Sequence, residues 1–498
     1  MKQLDDQSVA AEPLVQRFDP RDISSLKAWL AQRSDAMQLR QADLRAALIQ
    51  EDAIFRLGDA LRLAGASGSD ILLVSDPTPM RRAGDNLKAL VLQILRETAA
   101  QVRELSLPTD DQGRVQADFA NVKLVMEAIG PNTAVVALGP GSVADIAKHA
   151  CYQWEQERAK HVPLVMCQTA NTVTAYSASM AVLAKDGVKR TWPSRYPDVV
   201  LSDLRTIADA PRSLALAGLG DCCPMFVSYA DWYIAHELGF EAFYSEAALE
   251  LFPNLSEDFL DSAEEIGNGS LHGAEVLART IVLAGIAQSV VGMSRPFSGL
   301  EHVVLHLLDD VVAPFNGRCI PLHGAQAGVA TLLAAAAYEE FLERFDPAAV
   351  DPGSLTVSEA AAHARVAAAF DSFDPTHAVS EGFWQEYEAK VALWNKNLDR
   401  VWTFLLGWEE RRIREKIVSL LQPARTVAAI LRRAGAPLLF EDLKPLVPLE
   451  QYRFAFLNAP LTRQRFTLID LLHFLGQLDE QFFSASLERA QAAARDQR

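Results

Sequence analysis

The chain has 498 residues, 47 Lys+Arg against 64 Asp+Glu for a net charge of −17, 50% hydrophobic residues and 22% charged ones. That is enough chain for two or three domains with cores of their own, and the balance is that of an ordinary globular protein rather than a disordered or fibrous one. The carboxylate excess, with no Lys/Arg-rich tract to offset it, excludes nucleic acid as a partner and disfavours anionic membrane surfaces.

No uninterrupted apolar stretch reaches the roughly 18–20 residues of a membrane span, and the opening MKQLDDQSVAAEPL lacks a signal-peptide apolar region, so the expected location is cytoplasmic. Five cysteines, Cys151, Cys167, Cys222, Cys223 and Cys319, are scattered without a CxxC spacing and read as reduced, mostly buried thiols.

Residues 1–65 carry apolar positions at helical spacing (Leu26, Trp29, Leu30; Leu44, Leu48, Ile54, Leu57) and read as a helical N-terminal extension. DILLVS at 70–75 is a short continuous apolar run, which suits a parallel strand buried on both faces. A helix over about 83–104 follows, then a polar segment, a helix over about 117–129 and a second buried strand, TAVVALG, at 133–139. PLVMCQTA at 163–170 reads as a third such strand. Beyond it, Asp186-Gly187 between two extended runs signals a hairpin. From about residue 207 the pattern is helical nearly to the end. The fold class is therefore an α/β domain with a parallel sheet over 66–206, joined to an all-α domain over 207–498.

Two features carry chemistry. Gly139, Gly141 and Ser142 in ALGPGSVAD lie between a buried strand and a helix, where unpaired N–H groups and a positive helix end can receive a pyrophosphate; such turns also serve purely structural roles. Asp76, just past the first strand, can accept ribose hydroxyls or cap a turn. Asp221, His302, His306 and His323 are candidate metal ligands, and the i, i+4 spacing of His302 and His306 sets both rings on one helix face. An Asp and two His with an open position suit a catalytic site, although histidines on helices also serve structural hydrogen bonds.

The segments GPGSVADIAK, QTANTVTAYSA, DGVKRTWP, AGLGD, SRPFSGLEH, LHGAQAGVAT and RQRFTLIDLL, in that order from about residue 70 to 480, resemble the sn-glycerol-1-phosphate dehydrogenases, including their bacterial AraM-like members. These belong to the superfamily of iron-containing alcohol dehydrogenases, glycerol dehydrogenases and 3-dehydroquinate synthases. The resemblance implies a dehydroquinate synthase-like fold with the site between an NAD(P)-binding domain and a helical domain. It implies one divalent metal (zinc, nickel or iron) on Asp221, His302 and His323, with His306 as a catalytic proton carrier. The cofactor NAD or NADP would meet Asp76, Gly139, Gly141, Ser142, Val143, Thr169 and Ser177, and the substrate would meet Asn171 and Thr174. The implied reaction is hydride transfer between NAD(P)H and a small ketone or polyol phosphate, with dihydroxyacetone phosphate and sn-glycerol 1-phosphate as the leading pair. A cyclase like 3-dehydroquinate synthase, or an alcohol dehydrogenase with a shifted substrate, is the alternative. Lys189, Arg190 and Arg195 are candidate partners for the phosphate, and buried Ala-rich helices allow a homodimer.

The chain departs from its family in two places. Thr174 and Ala175 stand where members commonly have an Asp-Gly pair, so a neutral hydroxyl replaces the carboxylate that would bind a substrate hydroxyl. Pro224 and Met225 in GDCCPMF stand where an Ala-Lys pair is common, and Pro224 is tolerable only in the first turn of a helix. Cys222 and Cys223, next to Asp221, are packing thiols or an altered metal site.

Overall fold

A computed structural model describes residues 18–110, 113–185, 188–309, 320–373 and 376–496. Six parallel strands form the main sheet: β1 (Ala46–Gln50), β2 (Asp70–Ser75), β3 (Val102–Ser106), β4 (Thr133–Gly139), β5 (Leu164–Gln168) and, after a two-stranded antiparallel hairpin of β6 (Met180–Lys185) and β7 (Val188–Pro193), β8 (Val199–Asp203). Their spatial order is β1-β8-β5-β4-β2-β3. Every residue of β4, β5 and β8 is buried, which is why these strands are continuous apolar runs rather than alternating ones. Period-two alternation still sorts the two faces. Leu72 and Val74 of β2 join the larger core, whereas Ile71 and Leu73 join a smaller core beneath the helices around residues 53–64 and 87–98.

Both edges of the sheet depart from the sequence reading. Ala46–Gln50, within a stretch expected to be helical, forms β1, which pairs in parallel with β8 from Ala46↔Val199 to Gln50↔Asp203. Ala47 and Ile49 pack into the larger core while Ala46 and Leu48 lie against the smaller one, so the spacing of Leu44 and Leu48 that suggested a helix belongs to a strand covered on both faces. The 1–65 segment is therefore not a helical extension throughout, because its last third supplies a strand of the cofactor-domain sheet. Its helical parts are Ile23–Gln32, with Leu26 and Leu30 buried, and Leu57–Leu63, with Leu57 and Leu61 buried. The helix expected over 83–104 ends at Thr98, and 102–106 form β3, an edge strand whose Arg103 and Glu104 face solvent.

The helices that matter for the site are α1 (Gly141–Arg158), which follows β4, and six in the C-terminal half: α2 (Arg212–Cys222), α3 (Met225–Glu237), α4 (Leu271–Val291), α5 (Leu300–Leu307), α6 (His323–Arg344) and, near the end, α7 (Leu468–Phe474). Every described element after β8 is helical. Two stretches, Arg212–Glu237 and Leu271–Val291, are long and apolar enough to cross a membrane by length and composition, where counting along the sequence found none. In the fold 78% of the apolar 18-residue window of each stretch is buried, so their apolarity is spent on the helical core. The Asp186-Gly187 turn lies outside the described residues, and the strands flanking it pair antiparallel from Met180↔Pro193 to Lys185↔Val188.

Candidate functional site

The carboxyl ends of the parallel strands face the helical half, the crevice in which open α/β sheets bind ligands. A cavity of about 450 Å3 lies there, lined from one side by Gly141, Ser142 and Thr174 and from the other by Asp221, His302, His306 and His323.

On the helical side, three elements bring the ligand set together. Asp221 sits in the last turn of α2, His302 in the first turn of α5, and His323 opens α6. One donor atom from each of these three residues lies within 4.8 Å of the other two. His302 Nε2 is 4.0 Å and His323 Nε2 3.8 Å from Asp221 Oδ1. Ligands that share one zinc-like ion at about 2.1 Å stand roughly 3.4 Å apart, so the three donors are near that spacing and a small inward shift of the side chains would close the set. A carboxylate with two imidazoles suits zinc, nickel or iron alike.

Two glycines allow this approach. A Cβ on Gly220 would stand 2.1 Å from the Gly324 carbonyl oxygen, and a Cβ on Gly324 would stand 1.9 Å from the Ala217 carbonyl oxygen. The helices bearing Asp221 and His323 therefore touch backbone to backbone beside their ligands. Outer contacts fix the rings. His302 Nδ1 meets Glu301 Oε1 at 3.0 Å, and Glu301 also accepts the Gly299 N–H at 2.6 Å. Glu301 is fully buried, and its Oε2 has no hydrogen-bond partner. His323 Nδ1 lies 3.9 Å from Asp309 Oδ2, and Asp309 accepts from Gln326 Nε2 at 3.0 Å.

Burial pushes the Asp221 carboxyl up against the pull of His323 and His302. Burial also opposes a charged His323, but the Asp309 and Asp221 carboxylates outweigh it and hold that ring above the usual imidazole value. His306 is held well below it by burial and by the charges of Arg463, His302, His323 and Arg465, so it is neutral near pH 7. Its ring centroid is 6.0 Å from both His302 and His323.

Across the cavity, α1 begins at Gly141 behind Pro140, and no side chain caps its first turn. Its opening N–H groups and positive dipole end thus face the space beside Gly141 and Ser142, which fits the pyrophosphate of a dinucleotide. Thr174 lies opposite, its hydroxyl oxygen accepting from Gln288 Nε2 of α4 at 3.1 Å. Behind this wall is a pair absent from the sequence reading, although both residues stand in GSVADIAK. Lys148 Nζ donates to Asp145 Oδ1 at 3.0 Å and to the Ala175 carbonyl at 2.6 Å, and the Val182 N–H donates to Asp145 Oδ2. Burial drives the carboxyl up and the ammonium down, and each partner opposes the shift in the other. The pair ties the 174–176 turn and β6 to α1.

The other residues expected to bind ligands stand behind the cavity wall. Asn171 is buried, accepting from Gln168 and donating to the Ala274 carbonyl, and the Ser177 hydroxyl donates to the Val282 carbonyl at 2.8 Å. Their polar groups are committed to holding the 169–178 segment against the sheet and α4. Asp76 is buried beyond the cavity, caps the Thr78 N–H at 3.0 Å and lies 3.8 Å from Lys88 Nζ. Gly139 and Thr169 at the strand ends, and Val143 in the first turn of α1, do not line the cavity. Of the basic residues of the hairpin region, Lys189 and Arg190 line it, whereas Arg195 is bound to Glu155 and Asp198. Two arginines that the sequence reading did not single out, Arg463 and Arg465, also line it.

Pro224 falls between α2 and α3 as the residue preceding the first turn of α3, where its missing N–H costs nothing. Cys222 and Cys223 are buried; burial and the nearby Asp221 raise both thiols, Cys223 to about 12, and Cys223 Sγ donates to the Leu219 carbonyl. They are packing thiols. Cys319 lies outside the described residues.

The family model for iron-containing alcohol dehydrogenases matches residues 48–211. Among curated proteins, a glycerol-1-phosphate dehydrogenase (NAD(P)+) of Methanothrix thermoacetophila is 30% identical over 284 residues, which cover 56% of this chain and 73% of that protein. One of Aeropyrum pernix is 30% identical over 270 residues, covering 54% and 70%. One of Halalkalibacterium halodurans is 28% identical over 270 residues, and this chain spans 65% of its length, just under two thirds. Solved structures share the fold: a probable glycerol dehydrogenase of Sinorhizobium meliloti 1021 superposes with a TM-score of 0.52 at 14% identity, covering 91% of this chain and 98% of that one. Maleylacetate reductase of Agrobacterium tumefaciens gives 0.51 at 16% identity, covering 92% and 99%. The fold is dehydroquinate synthase-like, and the extended match to the archaeal proteins shows that the chain belongs to the glycerol-1-phosphate dehydrogenase family, with the iron-containing alcohol dehydrogenase model matching its sheet domain.

Proposed function

We propose that this chain is a metal-dependent NAD(P) oxidoreductase that interconverts a small ketone phosphate and its alcohol, with dihydroxyacetone phosphate and sn-glycerol 1-phosphate as the leading pair. The observation that carries the reading is the convergence of Asp221, His302 and His323 on the cavity that also receives the uncapped first turn of α1. When bound, the metal supplies charge to polarise the substrate oxygen, and the nicotinamide supplies or accepts the hydride.

The chain's own residues do the rest. Gly141 and Ser142 orient the dinucleotide through backbone N–H groups, and Asp145 with Lys148 keeps that turn in place. Glu301 aims His302 and Asp309 stands behind His323, so the ligand rings keep one orientation. His306 is neutral and one helical turn beyond His302, so a ring nitrogen can take the proton released from the substrate hydroxyl and return it in the reverse direction. Thr174 offers the substrate a neutral hydroxyl in place of a carboxylate, which removes a repulsive charge from the neighbourhood of a phosphate.

The test is metal analysis of the purified protein together with oxidation of NADH and NADPH in the presence of dihydroxyacetone phosphate. His302→Ala and His323→Ala are expected to lose the metal and to lower the rate by about 10³-fold or more, the several kcal/mol that a lost Lewis acid represents. Wild-type metal content and rate in both variants would refute the ligand assignment. Phosphate release from substrate without net NAD(P)H consumption would instead favour a cyclase.

A further inference from the structure

In a chain that carries a net charge of −17 the cavity lining gathers the basic side chains Lys189, Arg190, Arg463 and Arg465, and two of them come from one short stretch. Arg463 and Arg465 lie in the non-helical stretch between the turn at Ala459–Leu461 and α7. Side chains two apart on such a stretch share a side, and here both arginines line the cavity while Gln464 between them is exposed. The stretch is held at several points. The Phe466 carbonyl accepts from Arg295 Nη1 at 2.9 Å, Thr467 caps α7 reciprocally with Asp470, and the Leu468 N–H donates to the buried Asp231 at 2.7 Å. Arg465 is aimed by two neutral acceptors, the Ser298 carbonyl and the Ser294 hydroxyl. Burial and the charges of Arg295 and Arg463 push its guanidinium down to about 9. Both arginines also act on His306, which places their charge beside the reacting end of the cavity.

We propose that Arg463 and Arg465 form the subsite that receives the phosphate of the substrate, and that they set the preference for a phosphorylated ketone over its unphosphorylated analogue. Planar guanidinium groups on a fixed backbone suit a phosphate dianion, with two N–H donors to each oxygen pair. The basic hairpin is less suited, since Arg195 is spent on Glu155 and Asp198 and Arg190 pairs with Glu386 at 2.6 Å. Lys189 also lines the cavity, its charge acting on His323, and serves as an auxiliary charge. This inference rests on the dehydrogenase reading of the same cavity, but phosphate binding can be measured without turnover.

The experiment compares metal-loaded full-length wild type with Arg463→Ala, Arg465→Ala and Arg465→Lys. Dihydroxyacetone phosphate and unphosphorylated dihydroxyacetone serve as substrates, and inorganic phosphate serves as a competitor. Each alanine variant is expected to lose about 100-fold in kcat/KM for the phosphorylated ketone, mostly through KM, because charge-assisted contacts to phosphate are among the stronger hydrogen bonds. The rate with dihydroxyacetone should stay within about threefold, Arg465→Lys should recover part of the loss, and inhibition by phosphate should vanish in the alanine variants. Equal losses on both ketones, in variants that keep their metal and melting temperature, would overturn the assignment. If wild type oxidises NAD(P)H with neither ketone, the dehydrogenase reading fails, and calorimetric titration with inorganic phosphate decides the subsite alone. Binding that is present in wild type and absent in Arg463→Ala upholds it; binding absent from wild type, or equal in both, overturns it.

Discussion

The two walls of the cavity are built on different principles. The helical wall carries every candidate metal ligand and the arginines Arg463 and Arg465, drawn from positions as far apart as Asp221 and Arg465. The sheet wall offers backbone N–H groups at Gly141 and Ser142 and hydroxyls such as that of Thr174; its charges are Asp145, paired with Lys148, and Lys189 and Arg190 of the hairpin, the latter paired with Glu386. A parallel sheet buried on both faces has little room for unpaired charge, so it can present a ligand only with strand ends and helix N-termini. Helices can project a carboxylate and three imidazoles into one space, provided their backbones come close enough.

That proviso gives the largest effect expected from a single added methyl group. Gly324→Ala sets a Cβ 1.9 Å from the Ala217 carbonyl oxygen, a backbone atom that cannot rotate away. The helices bearing Asp221 and His323 must separate, at a cost of about 1–3 kcal/mol or more in stability and with loss of metal binding. Gly220→Ala, against the Gly324 carbonyl, should behave alike. Melting temperature and metal content read this together, and a Gly324→Ala protein with wild-type values of both would show that the close helix contact is dispensable.

A smaller effect is expected one layer out. Glu301→Gln keeps the size of the side chain but removes the charge facing His302 Nδ1. Metal affinity should fall about 10- to 100-fold with the fold intact, as measured by competition with a chelator. Unchanged affinity would mean that packing alone orients the His302 ring.

Residues differ in how far the sequence discloses their roles. The inner strands are legible because burial on both faces writes an unbroken apolar run, as in TAVVALG. The candidate site histidines are legible because His302 and His306 stand at i, i+4 and His323 opens a helix at a His-Gly pair. Strands β1 and β3 are not, since the short edge segments AALIQ and VRELS carry helical-looking spacing or exposed charge, and only their partners β8 and β2 fix them as strands. Asn171 and Ser177 look available to ligands because local sequence does not reveal that the Ala274 and Val282 carbonyls, about a hundred residues away, will take their donors. Arg463 and Arg465 show the converse: RQRFTLIDLL contributes to the family resemblance, but only the fold sets its two arginines on the cavity.

The sheet wall has its own test, with the smallest expected effect. A Cβ on Gly141 would stand 2.4 Å from Val173 Cγ2 but 3.9 Å from Val173 Cβ. Valine is stiff at χ1, and the turn after it is held by Lys148 on the Ala175 carbonyl and by Gln288 on Thr174, so the methyl cannot swing aside without moving that turn. Gly141→Ala should therefore weaken NAD(P)H binding about tenfold through a displaced first turn of α1, while the metal stays bound because no ligand touches this wall. Adding Val173→Ala removes the offending methyl and leaves an ordinary contact at 3.9 Å, so the double variant should regain most of the affinity. A double variant no tighter than Gly141→Ala would mean that Gly141 is required for the cofactor's own approach to the backbone rather than for its fit against Val173.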